Sequence, residues 1–137
     1  MALLTAYSAI QYLQRAFCAT MGGSLAVGTA VKLTVNRKTP ADLYFKVDAA
    51  GPTDTIFGVV YTTDASLSPI TDTSPGYVLP TNAAMLLVRC DNNYMAGDKL
   101  KVKTADGKFG KIAMGEVPVV ELVEDGKTND LAWGIIL

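Results

Sequence analysis

The chain has no histidine among its 137 residues. That absence removes the usual general base near neutral pH, the ordinary serine and cysteine dyads, and the commonest metal ligand. Cysteine is nearly missing as well. Cys18 and Cys90 are too few and too far apart to read as a disulfide framework, so they read as buried free thiols. Two cysteines without an imidazole do not make a standard structural zinc site within one chain. Charge is scarce: charged residues make up 18 % of the chain, the formal net charge is -1 and the isoelectric point is near 5.3. A general nucleic-acid binder would show a basic excess instead. No apolar run approaches the roughly 18–20 residues of a membrane-spanning helix, because Gly, Thr, Asp or Lys interrupts every candidate. The N-terminal stretch lacks a basic start, and Arg15 falls where a secretory signal would place its apolar region or cleavage site. It is read as retained, in a protein used without secretion. The expectation is a chain with no cofactor, no metal, no nucleic-acid partner and no membrane partner.

What is present is apolar. Half of the residues are hydrophobic and the mean hydropathy is +0.26. At 137 residues the chain is long enough to bury a core without staples. Surplus apolar surface outside a membrane tends to end at an interface, so the composition points to an obligate oligomer or a component of a larger assembly.

Residues 3–17 contain good helix formers and neither Gly nor Pro. Leu3, Tyr7, Ile10, Leu13 and Phe17 recur at three- and four-residue steps, which predicts an amphipathic helix; an extended arm that orders on a partner is the alternative. Met21-Gly22-Gly23-Ser24 breaks that pattern. The expected organisation is an N-terminal helix or arm over 1–22 and a β body over 23–137. From Gly28 the period becomes two: Val31, Leu33 and Val35 alternate with Lys32, Thr34 and Asn36. Runs at 43–47 and 56–61 are β-branched or aromatic and are separated by Gly51-Pro52-Thr53-Asp54, a turn composition. Residues 64–82, with three prolines, read as a long loop. Residues 85–90 read as a central strand.

The segment 97–112 alternates strictly. Lys99, Lys101 and Lys103 fall on one face and Leu100 and Val102 on the other, with Asp106-Gly107 as the tight turn of a hairpin. A strand run at 117–123, an Asp125-Gly126 turn and an apolar closing strand at 131–137 complete about nine short strands, the cadence of a β-sandwich or small barrel. The fold class expected is mainly β, an antiparallel β-barrel or β-sandwich with an N-terminal helix or extended arm. A faint internal echo sets Asp42, Ala49, Gly51 and Ile56 beside Asp98, Ala105, Gly107 and Ile112. It is too sparse to establish duplication.

Several motifs are half present. Gly22-Gly23-Ser24-Leu25-Ala26 begins like a nucleophile elbow but ends in Ala and has no imidazole to activate the serine. Gly126-Lys127-Thr128 resembles the end of a phosphate-binding loop whose required earlier Gly is Glu121. Asp91-Asn92-Asn93 hints at a calcium loop, yet Met95 replaces the third ligand, which favours a polar turn. Asp42, Asp48 and Asp54 read as charges flanking turns. The lysine face of the hairpin reads as a solvated strand surface; its functional version would be a contact with an acidic protein partner. No catalytic residue is assigned.

The order of elements from Gly28 to Leu137 resembles that of the small cement, or head-decoration, proteins of tailed bacteriophages. The features that carry the resemblance are an early strand (Val31-Lys-Leu-Thr-Val35), an Ile56-Phe-Gly-Val-Val60 strand with a small-Gly-Val step, Ala96-Gly97-Asp98 opening a hairpin, Ala105-Asp106-Gly107-Lys108 closing it, and the hydrophobic final strand. The segment to Thr20 is not covered, and 64–82 looks like an insertion. The resemblance implies a non-enzymatic β-barrel or sandwich, often a trimer. It implies a place on the capsid exterior of the virion, where the protein binds the major capsid protein and stabilises the shell by bridging subunits. Leu3, Tyr7, Ile10 and Phe17 are the candidate capsid or subunit contacts, because large apolar side chains anchor interfaces; the alternative is that this face packs back onto the chain's own barrel. The alternatives are a tail, neck or receptor-binding component of a phage, and a small carbohydrate-binding or carboxylate-dependent hydrolase domain.

Overall fold

The structure, a computed structural model, describes residues 13–34 and 45–137. These form twelve strands: β1 (Gln14–Cys18), β2 (Ser24–Leu25), β3 (Ala30–Leu33), β4 (Phe45–Ala49), β5 (Gly58–Tyr61), β6 (Ile70–Thr71), β7 (Gly76–Pro80), β8 (Met85–Arg89), β9 (Lys99–Val102), β10 (Phe109–Lys111), β11 (Val120–Leu122) and β12 (Leu131–Ile136). The mainly β expectation holds. Helical spacing over 3–17 misleads from Gln14 onward, because β1 pairs in parallel with β4 and antiparallel with β7. Those ladders outweigh the local helix propensity of Gln, Arg and Ala. The β body therefore includes Gln14–Cys18, ahead of the expected boundary at residue 22. The 64–82 excursion is not a single loop either, since it holds β6 and β7.

Strands β1-β4-β3-β5-β7 close into a barrel, and β10-β9-β11-β12-β8 form a second sheet. A single parallel bridge from Cys90 to Phe109 brings the two edges of that second sheet together. Strand β8, expected to be central, thus stands at the sheet's edge. The two halves share one topology. In each, the first strand runs parallel to the third, and every other neighbour is antiparallel.

The registers also coincide. Cys18 lies opposite Val47 as Cys90 lies opposite Phe109. Ala30 pairs with Val59 as Lys99 pairs with Glu121. Gln14 pairs with Val78 as Leu86 pairs with Gly134. Backbone bonds outside the ladders repeat too. Gly28 donates to the Val60 carbonyl at 2.8 Å, and Gly97 to that of Leu122 at 2.7 Å. Both glycines have positive φ, 86° and 93°, which relieves a turn that other residues would strain. The fold is a tandem repeat of one five-stranded unit, with β2 and β6 inserted in the first copy.

The repeats stack on one another. Val31, Val47, Val60 and Val78 fill the first barrel together with Leu25 and Ile70. Their strand neighbours Ala30, Val59 and Leu79 point the other way and join Leu86, Leu100, Phe109 and Leu122 in a second cluster. One face of the first repeat thus covers the second, and the Ala30 amide donates to the Gly107 carbonyl at 2.9 Å across the junction. A Cβ at Gly107 would stand 2.6 Å from the Ala30 carbonyl oxygen, so this close approach requires glycine.

Candidate interaction surfaces

The loop from the third to the fourth strand of each repeat carries the same carboxylate clip. In the first repeat, Asp54 accepts the Gly51 amide at 2.8 Å and pairs with Lys32 at 3.2 Å. In the second, Glu116 accepts the Ala113 amide at 2.6 Å, pairs with Lys101 at 3.4 Å and bonds Lys103. These partners hold Glu116, through Lys103 first and the Ala113 amide second, well below the ordinary carboxylate range, at about 2. Asp54 is lowered likewise, mainly by the Gly51 amide and then by Lys32. The hairpin therefore alternates as expected, but Lys101 and Lys103 are engaged by Glu116 rather than displayed free to a partner.

The clip in the second repeat props up an apolar tip, with Met114 fully exposed and Val117 80 % exposed. On the outer face of β9, β11 and β12, Lys99, Glu121 and Ile135 occupy the positions that Ala30, Val59 and Leu79 hold in the first repeat. The first set is buried on its neighbour; the second is open, with Val123, Ile135 and Leu137 exposed at its edges. The fold thus repeats its stacking face once more than it uses it within the described residues.

A third surface is the mouth of the first barrel, at the N-terminal end of β1. A cavity of about 600 Å³ opens there between Gln14, Leu33, Phe45, Ile56, Phe57 and Pro80. The rings of Phe45 and Phe57 meet at 5.5 Å. In the second repeat, Leu86 and Val102 occupy the positions of Gln14 and Leu33 and are buried.

Of the expected contacts, Leu3, Tyr7 and Ile10 lie outside the described residues, as does Asp42. Phe17 is half-buried on β1, opposite Lys46, and alternates with the inward-facing Ala16 and Cys18. Asp91-Asn92-Asn93 is the polar turn expected: Tyr94 donates to Asp91 at 2.5 Å, and Asn93 accepts the amide and hydroxyl of Thr128. Gly126-Lys127-Thr128 is thereby tied into a structural turn rather than a phosphate cradle. Asp48 accepts the Thr20 hydroxyl at 2.8 Å. Among the described residues, no group of three His, Cys, Asp or Glu is placed to hold a metal ion.

The architecture is a closed five-stranded barrel followed by a five-stranded sheet of the same strand order, and it is similar to a solved structure, "The crystal structure of head fiber gp8.5 N base in bacteriophage phi29". The two share 13 % sequence identity with a TM-score of 0.64, and the match covers 92 % of this chain and 92 % of that one. That likeness shows a common fold. No protein-family model matches the sequence, and no curated protein matches it.

Proposed function

We propose that this chain is a non-enzymatic structural protein of a phage virion, bound to the outside of the capsid and stabilising it by bridging subunits of the major capsid protein. The observation that carries the reading is the fold match, which runs nearly end to end to a protein titled as the base of a phage head fibre. The absence of histidine, the apolar composition and the open stacking face fit a protein that acts through buried area. Such area contributes about 25 cal/mol per Å² before association costs are deducted.

Self-association is part of the reading, with a trimer as the expected order. The face at Lys99, Glu121 and Ile135 is a ready surface for a further copy. Leu3, Tyr7, Ile10 and Phe17 serve as subunit or capsid contacts. Immunogold labelling of intact particles tests the placement. Label over the head supports it; label confined to the tail replaces it with the tail or receptor-binding alternative.

A further inference from the structure

The registers set one residue from each of four neighbouring strands in a single row across the outer face of the second repeat. Glu121 lies opposite Lys99 on one side and Ile135 on the other. The Ile112 amide donates to the Lys99 carbonyl at 3.1 Å, which carries the β10 ladder one residue further and puts Ile112 beside Lys99. The row therefore runs Ile112, Lys99, Glu121, Ile135. Successive residues of a strand face opposite sides of a sheet. Leu100, Val120, Leu122 and Gly134 are buried, so the row projects outward. Lys99 and Ile135 are exposed, and every residue of the second repeat is described.

The counterparts of Lys99 and Glu121 in the first repeat, Ala30 and Val59, are fully buried against the second. Two charges in their place oppose dry stacking unless a partner matches them. Among the described residues, neither Lys99 nor Glu121 makes a side-chain ion pair. From either end the row runs isoleucine, charge, opposite charge, isoleucine. It is complementary to itself.

We propose that the row is an interface between two copies of this chain, paired face to face by a half-turn. The contact rests on the self-association in the reading above and specifies how the copies meet. The axis lies in the interface, parallel to the strands and midway between β9 and β11. It sets Lys99 over the partner's Glu121 and Ile112 over the partner's Ile135. Sheets packed in this way stand about 10 Å apart, a gap that Lys and Glu side chains together span.

The next row supports the same operation. Glu116, bonded to Lys101 and Lys103, holds the tip at Met114 and Val117 on the β9 side of the face. Leu137, whose amide donates to the Val119 carbonyl, stands on the β12 side. The half-turn carries the tip of each copy toward the partner's Leu137, and all three side chains are exposed and apolar. Such a contact is isologous and closes after two copies, so a trimer held through another surface would pair into a hexamer.

Sedimentation equilibrium of the full chain tests this with Lys99→Glu and Glu121→Lys proteins. The wild-type mass is expected to be an even multiple of the chain mass. Each variant alone sets like charges together at both pairs, which should raise the pairing dissociation constant about a hundredfold and halve the mass. Mixed in equal amounts, the two variants regain both opposite-charge pairs, and the wild-type mass should return. A misfolded chain could not give that rescue. A wild-type chain that stays single, variants that keep the full mass, or a mixture that remains at half mass would each overturn the proposal. The measurement uses no capsid. Pairing by a protein that ignores capsids would sink only the functional reading, and capsid binding by a protein that never pairs would sink only this contact.

Discussion

Cys18 and Cys90 stand at the same position of the two repeats, each beside the first-to-third-strand pairing. Burial pushes the Cys90 thiol up to about 11 and raises that of Cys18, so both remain protonated at neutral pH. A protonated, buried thiol is a poor nucleophile. The expected outcome with a disulfide reagent is no reaction in the native protein and reaction of both cysteines once it is unfolded. Fast native labelling would contradict the burial. Phe109 is fully buried where the first repeat has Val47, so it carries the packing of the second repeat. Phe109→Ala should lower stability by about 3–5 kcal/mol, read from urea denaturation. At this scale the sequence was informative wherever burial alternates strictly, as along Lys99–Val102. It misled at Phe17, because the same apolar residue satisfies a helical spacing and a strand face. Only pairing partners distant in sequence decide between the two.

At the scale of elements, the clips are the repeated device. Glu116 has a native pKa of about 2 against an ordinary 4.5, so the bound state favours the carboxylate. A depressed pKa contributes stability that is complete above the ordinary value and is lost as pH falls toward the depressed one. The third-to-fourth-strand loop should therefore hold from neutral pH down to about 4.5 and loosen between there and about 2. Hydrogen exchange at the Ala113 amide reads this directly. Glu116→Gln should raise that exchange at neutral pH, and unchanged exchange would show that the clip does not hold the loop. Turns were legible here through Gly51-Pro52-Thr53-Asp54 and Asp106-Gly107. Strands β6 and β7 were hidden in the segment 64–82 because Pro69, Pro75 and Pro80 resemble loop residues. Two of these prolines immediately precede a strand or its first residues and the third ends one, positions where the missing amide costs little.

The whole molecule is one unit stacked on its repeat. Ala30, Val59 and Leu79 of the first barrel share a cluster with the interior of the second, so the halves should unfold together. A single transition in urea, coincident by circular dichroism and by Trp133 fluorescence, is expected; two separated transitions would contradict the shared core. The duplication was faintly legible. Ala26-Val27-Gly28-Thr29-Ala30-Val31-Lys32-Leu33 aligns in the fold with Met95-Ala96-Gly97-Asp98-Lys99-Leu100-Lys101-Val102. The echo seen at a fixed offset pairs other residues, because loops of unequal length shift the register from strand to strand.

Co-sedimentation with undecorated phage capsid shells tests the proposed capsid role most directly. The account predicts saturable pelleting of purified protein with those shells and none in their absence. Protein that stays in the supernatant at every shell concentration would contradict it.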